Sequence, residues 1–365
     1  MTSRERLQAT LRRETPDRVP VNTYELSVVG WPNGESSYER LMAAVAEQSD
    51  SLAMWGGGGA GLSPEVPTDS QTWTEGEFSV TRATVHTPRG DLTRTTKAQP
   101  TVMTTWTTEH LCKTVEDIER YLSLPLAPVV DDPQGFREMD QQVGERGLVM
   151  GGACDPIGWV AGLFEFGQFT VFALTEPKLI RALCDHFQEA NLAGIEAGLQ
   201  GAVAPLYRIC GAEYLTPPFL PPRCFAEFEV PYLTEIIDLL HRYGTVARVH
   251  CHGRVGQVLE MIVECGADAL DPLEPPPDGD ITLGEIKRRY GDRLILFGGM
   301  ELKYLETETP ERIDQRVREL MEQAKAGGGY VLMPTAAPIN IPLLPLTEAN
   351  YLAFLEAGEK YGRYG

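Results

Sequence analysis

Two histidines one residue apart, His250 and His252, lie in the stretch Thr245-Val-Ala-Arg-Val-His-Cys-His-Gly253. β-Branched and apolar residues running up to a glycine predict a strand. Alternation puts both imidazoles on one face and Cys251 on the other. Such a pair at a strand end can close on one metal ion or hold one anionic group. Two ligands alone do not define a metal site, and two ordinary polar residues is the plainer reading. Glu213 offers a third donor. With His250 and His252 it makes a two-histidine, one-carboxylate set, which suits zinc or another divalent transition metal with one position left open. A capping or loop carboxylate is the competing reading of Glu213.

For these residues to meet, strands must bring them to one place. From residue 147 strands and helices alternate regularly. Strands are expected at 148–153, 203–209, 246–250, 269–273, 294–297 and 330–333. Helices are expected at 175–199, 222–242, 254–265, 281–290, 309–326 and 346–361. Earlier strands at 19–25 and 51–55 bring the number to eight, which predicts a (β/α)8 TIM barrel, one domain over 1–365. A doubly wound sheet is the rival. Helices at 3–13, with Leu7 and Leu11 on one side, and at 38–48 form an N-terminal helical extension. Gly56–Gly59 reads as a mobile loop, not a phosphate loop, since no Gly-Lys-Ser/Thr follows. Residues 78–98 read as an inserted β-hairpin turning at Pro88–Asp91, and 115–122 as a helix with acidic residues in its first turn.

Barrel active sites sit at the C-terminal strand ends. Those ends supply Asn22, Tyr24 and Glu25; Trp55; Cys154 and Asp155; Arg208 and Cys210; Met300 and Glu301; Thr335 and Asn340. Asp271 and Glu274 follow the strand after the histidines. They can carry protons or hold substrate hydroxyls, or pin the turn around Pro272 and Pro275–Pro277. Arg208 can hold a substrate carboxylate or pair with an acid in the mouth. Tyr24, Trp55, Cys154 and Asn340 are the candidate substrate wall, although large aromatics and strand cysteines often only pack.

The net charge of −20, from 52 acidic and 32 basic residues, argues against nucleic acid and anionic membrane as partners. No run of about 18 apolar residues predicts a membrane span, and Met1-Thr-Ser-Arg-Glu-Arg has no apolar signal region. Seven cysteines, an odd number at irregular spacing, suit a reducing cytoplasm rather than a disulfide framework.

Several stretches carry a resemblance: Arg12-Arg-Glu-Thr-Pro-Asp-Arg-Val-Pro20, Thr175-Glu-Pro-Lys-Leu-Ile, Phe225-Ala-Glu-Phe-Glu-Val-Pro-Tyr232, Val249-His-Cys-His-Gly253 and Phe297-Gly-Gly-Met300. Their order and spacing resemble the uroporphyrinogen decarboxylase superfamily, which includes cobalamin-dependent methyltransferases, across essentially the whole chain. True uroporphyrinogen decarboxylases carry Arg-Gln-Ala-Gly-Arg-Tyr after the first strand. Here Asn22-Thr-Tyr-Glu-Leu-Ser-Val-Val-Gly30 stands instead, without porphyrinogen-binding arginines. The methyltransferase branch holds zinc with His-x-Cys and a late cysteine. Here His252 replaces the first cysteine, and Met333–Pro338 contains none. The resemblance implies a metal-dependent methyltransferase or demethylase. It would move a methyl group from a small methoxylated or methylated compound to a corrinoid protein, and barrels of this superfamily often pair as homodimers. The alternative is a metal-independent decarboxylase or lyase on a small aromatic or tetrapyrrole-like acid, with His250 and Arg208 on the carboxylate. A third reading is a non-catalytic barrel binding a corrinoid or tetrapyrrole.

Overall fold

Short, continuously apolar strands separated by helices can bury both faces only in a parallel sheet wrapped by those helices. The computed structural model, which describes residues 1–30 and 32–364, shows this arrangement. Its strands are β1 (Ser51–Gly57), β2 (Gly59–Leu62), β3 (Thr68–Glu75), β4 (Phe78–Val85), β5 (Leu92–Gln99), β6 (Val102–Glu109), β7 (Leu126–Val129), β8 (Gly147–Cys154), β9 (Leu206–Cys210), β10 (Val246–His250), β11 (Ala269–Asp271), β12 (Ile295–Met300) and β13 (Tyr330–Pro334). Seven of them form one parallel sheet in the order β1-β8-β9-β10-β11-β12-β13.

The eighth place is filled by an extended segment around Val21. Leu332 N–H donates to the Pro20 carbonyl at 3.0 Å and Asn22 N–H to the Leu332 carbonyl at 2.9 Å. On the other side, Asp50 N–H donates to the Val21 carbonyl at 2.7 Å, and Asp50 Oδ2 accepts from Val21 N–H at 2.8 Å. The ring of the (β/α)8 barrel closes there. The strand expected over 19–25 is thus reduced to a bridge. Tyr24 has φ +58, a left-handed conformation that ends an extended run.

Inside the ring, Leu52, Leu148, Met150, Leu206, Ala269, Ile295, Phe297, Val331 and Met333 form one apolar cluster. Leu7, from the helix Ser3–Leu11, packs into it. Each fully buried side chain of this size contributes roughly 1.5–3 kcal/mol. The larger core lies between the strands and the helices.

Three expectations are corrected. The glycine run is not a loop: Gly56 and Gly57 end β1, and Gly59 opens β2, which pairs with β7. Backbone crowding requires glycine here, because a Cβ on Gly58 would meet the Gly194 carbonyl and one on Gly198 the Gly57 carbonyl. The hairpin of β4 and β5 exists, but β3 and β6 extend it into a four-stranded antiparallel sheet. The helix expected over 222–242 is two, Pro222–Phe228 and Val230–Arg242, since Pro231 withholds an N–H and crowds the preceding turn. The helix Val115–Leu122 has the expected limits and a Thr114–Asp117 capping box.

The four-stranded sheet is fastened at both ends. At one, Lys113 Nζ donates to the Thr93 carbonyl at 3.1 Å and Cys112 N–H to the Leu163 carbonyl, in the loop region after β8, at 2.9 Å. At the other, Met103 N–H donates to the Ile339 carbonyl at 2.8 Å and Ile341 N–H to the Thr101 carbonyl at 2.9 Å, after β13. Among the described residues no helix is long and apolar enough to cross a membrane, and all seven cysteines are free thiols.

Candidate active site

In-register pairing builds the site. Cys154 pairs with Cys210, Cys210 with His250, and His250 with Asp271. These four side chains therefore stand in one inward-facing row at the C-terminal ends of β8, β9, β10 and β11. The same alternation puts Gly152, Arg208, Arg248 and Ala269 in the row below.

Asp271, wholly buried, organises the cluster. Its Oδ1 accepts from Arg248 Nε at 2.7 Å and its Oδ2 from His250 Nδ1 at 2.8 Å. Arg208 Nε lies 3.6 Å from Oδ2. Burial pushes the Asp271 carboxyl up, but Arg248, then His250 and Arg208, outweigh it and hold it well below the usual carboxylate range. Burial lowers His250 in spite of Asp271, and the Asp271 carboxylate, which can only accept, places a proton on Nδ1. Arg208 Nη2 lies 2.9 Å from His250 Nδ1 and 3.1 Å from Nε2, and also bonds the Tyr24 hydroxyl. The left-handed turn at Tyr24 aims that ring over the guanidinium, 4.7 Å from its centre. Arg208 Nε is buried and has no hydrogen-bond partner among the described residues.

A second group adjoins the first. The His250 and His252 rings are 4.6 Å apart, edge to face. His252 Nδ1 is 2.7 Å from Glu274 Oε1, and Gly253 N–H donates to Oε2 at 2.7 Å. Burial lowers His252, but Glu274 more than reverses this, so its pKa is raised. Glu274 is lowered: burial opposes, and the His252 bond wins. Glu301 is pushed up to about 7 by burial and by Glu274. Its Oε1 is buried and unbonded among the described residues, while Oε2 accepts from Thr335 at 3.3 Å.

Beside Arg208 opens a cavity of about 340 Å³, lined in part by Met54, Cys154, Trp159 and Cys210. Another, of about 570 Å³, lies around Arg6, Asp17 and Arg363, away from these groups.

Of the sequence candidates, His250, Asp271, Arg208 and Tyr24 come together, with His252 and Glu274 next to them and Cys154 on the cavity wall. Trp55 does not join them. It faces the helices and packs edge-on to Phe136 at 5.3 Å, because Leu52 and Met54 are the inward residues of β1. Asn340 belongs to the seam with the four-stranded sheet: it bridges Val102, and its carbonyl accepts from Tyr38 at 2.9 Å. Glu213 accepts from its own turn, Gly211 N–H, at 3.0 Å. Among the described residues no three His, Cys, Asp or Glu side chains converge as a metal-binding set. The zinc that the methyltransferase branch would bring does not fit this donor set. Arg208 Nη2 lies 3.1 Å from His250 Nε2, and its charge opposes a dication at that place. The sequence reading missed Arg248, although period-two alternation from His250 points to it. It also passed over Asp131 and Trp159, which lie on loop and helix rather than at a strand end.

A model of the uroporphyrinogen decarboxylase (URO-D) family matches residues 94–348. Uroporphyrinogen decarboxylase of Pseudoalteromonas translucida (strain TAC 125) is 31% identical over 173 residues, 46% of this chain and 45% of that protein. The enzyme of Shewanella denitrificans is 32% identical over 171 residues, again 46% and 45%. The chain thus matches about half the length of these relatives. Among solved structures, a methyltransferase from Methanosarcina mazei superposes with a TM-score of 0.60 over 99% of both chains at 18% identity, a likeness of fold. The family match spans most of the chain, including the strands that carry Arg208, His250 and Asp271: the protein belongs to the uroporphyrinogen decarboxylase family.

Proposed function

We propose that this protein is an enzyme that decarboxylates a small organic acid without a metal ion. The observation that carries this reading is Arg208: buried, positively charged and on the wall of the cavity. A guanidinium so placed takes a carboxylate by charge-assisted hydrogen bonds. Asp271, Arg248 and Tyr24 fix its position. Asp271 is too strongly held in its ionised form to give up a proton, so it positions His250 and Arg208 and does not act as the acid. Loss of CO2 from R–COO⁻ leaves the bonding electron pair on R. A proton from His252 then completes R–H, and Glu301, its carboxyl pushed up to about 7, returns a proton to His252 below that pH. The test is incubation of purified protein with organic acids in D2O. CO2 release with one deuterium in the product is expected, together with loss of both in Arg208→Gln. No CO2 from any acid would sink the reading.

A second reading is methyl transfer to a corrinoid protein. It is favoured by one feature: both His250 and His252 are backed at Nδ1 by a carboxylate, as metal-bound imidazoles usually are. A transition metal bound in about one-to-one ratio and lost in a His250→Ala, His252→Ala variant would support it. So would consumption of a methoxylated compound only when a corrinoid protein is present.

A further inference from the structure

The cavity beside Arg208 is distinctive in its charge as well as its size. At about 340 Å³ it lies at the low end of the roughly 300–1,000 Å³ typical of small-molecule sites. That volume suits one small ring better than four linked pyrrole rings with their acid side chains. Its wall is mostly uncharged: Met54, Gly152, Cys154 and Cys210 from the strands, and Trp159 above them. The two thiols stay neutral, because burial pushes Cys154 well up and Cys210 to about 12. Trp159 is stacked on Phe187, with centroids 6.3 Å apart and planes 13° apart, and is 36% exposed. It therefore presents a fixed aromatic surface.

Two lining residues carry formal charge, Arg208 and Asp131. Arg208 is buried and Asp131 exposed at the rim. Asp131 is held in place, since its Oδ2 accepts from Gly57 N–H at 3.0 Å. Gly56 makes room for that carboxylate, and a Cβ there would collide with it. One cation at the base and one anion at the rim match a ligand with a single negative end. A second carboxylate at the far end would face Asp131, whereas a hydroxyl or amino group there would donate to it.

We propose that this cavity takes a single-ring organic monocarboxylate, its carboxylate on Arg208 and its ring against Trp159, and that Asp131 rejects a second carboxylate. The assignment rests on the decarboxylase reading and adds the class of acid to it. Calorimetric titration of the full chain with benzoate, 4-hydroxybenzoate, terephthalate, acetate and coproporphyrin tests it. The benzoates are expected to bind about fivefold tighter than terephthalate, the effect of one like-charge contact in solvent at a cavity rim, and tighter than acetate. Asp131→Asn should close most of the gap to terephthalate, and Trp159→Ala most of the gap to acetate. Equal binding of terephthalate and benzoate by the unaltered protein, or preference for coproporphyrin, would overturn it whether or not the variants fold. Ring monocarboxylates that bind but release no CO2 would refute the decarboxylase reading and leave the cavity assignment standing. CO2 released only from acyclic acids would do the reverse.

Discussion

Asp271 Oδ2 stands 2.8 Å from His250 Nδ1 while its other oxygen holds Arg248 at 2.7 Å. One carboxylate thus sets a histidine tautomer and neutralises a guanidinium inside the barrel. Asp271→Asn keeps the shape and removes the charge, leaving Arg248 and Arg208 without their common counter-ion. The expected loss of stability is about 3–5 kcal/mol, read by chemical denaturation, with loss of turnover. A change below about 1 kcal/mol would mean that the cluster is solvated and the assignment mistaken.

Arg208→Gln should weaken acid binding by roughly ten- to a hundredfold, the range for hydrogen bonds to a charged group. Arg208→Lys should recover only part of this, because a lysine lacks the planar fork. Calorimetry with the preferred acid decides. Unchanged affinity in both variants would remove Arg208 from binding.

Glu301, pushed up to about 7 from an ordinary 4.5, makes a pH prediction. It remains a proton donor below pH 7 and ceases to be one above. Turnover should therefore fall as pH rises through about 7, and Glu301→Gln should abolish that limb. Stability moves in the same direction. Between 4.5 and about 7 the unfolded state has released a proton that the folded state keeps, so stability declines as pH rises across that window. A pH–rate profile identical in the variant would refute the role.

Gly198→Ala should be costly even though it is a helix-favouring change. The added methyl group would meet the Gly57 carbonyl, which is backbone and cannot rotate away. A loss of about 1–3 kcal/mol is expected, with weaker acid binding because the end of β1 borders the cavity. Thermal melting checks it, and a neutral result would show that the helix and strand can separate.

Protein purified without added metal or chelating tag should contain no stoichiometric transition metal, and His250→Ala with His252→Ala should not alter its metal content. One zinc per chain would instead direct the work to methoxylated substrates.

What the sequence disclosed follows a physical division. β10 and the helix Val115–Leu122 have their expected limits, because their signals, apolar runs and caps, are local. His250 and Asp271 were each read at a strand end, and the pairing of β10 with β11 sets them side by side. Trp55 was misassigned because a strand end does not by itself say which parity faces inward. The meaning of Gly56–Gly59 depended on Gly194 and Gly198, more remote in sequence, whose backbone presses against them. Glu213 was a plausible ligand by type, yet its own turn at Gly211 claims it. Arg248 escaped notice because a wholly buried arginine is rare and is explained only by the Asp271 and Phe297 that surround it.

The closure at Val21 has a bearing on how the chain reaches this state. Its partners are Asp50, close in sequence, on one side and Leu332, very distant in sequence, on the other. Contacts of the distant kind form slowly, because a long loop must be ordered before they contribute. Until then the Val21 segment and β13 present unpaired edges, the part of an incomplete sheet most prone to misassociation. The Asp50 side chain, which accepts the Val21 N–H and bonds Arg6 at 2.5 Å and Arg18 at 2.7 Å, holds the Val21 segment ready for Leu332, and its loss should appear as aggregation during refolding.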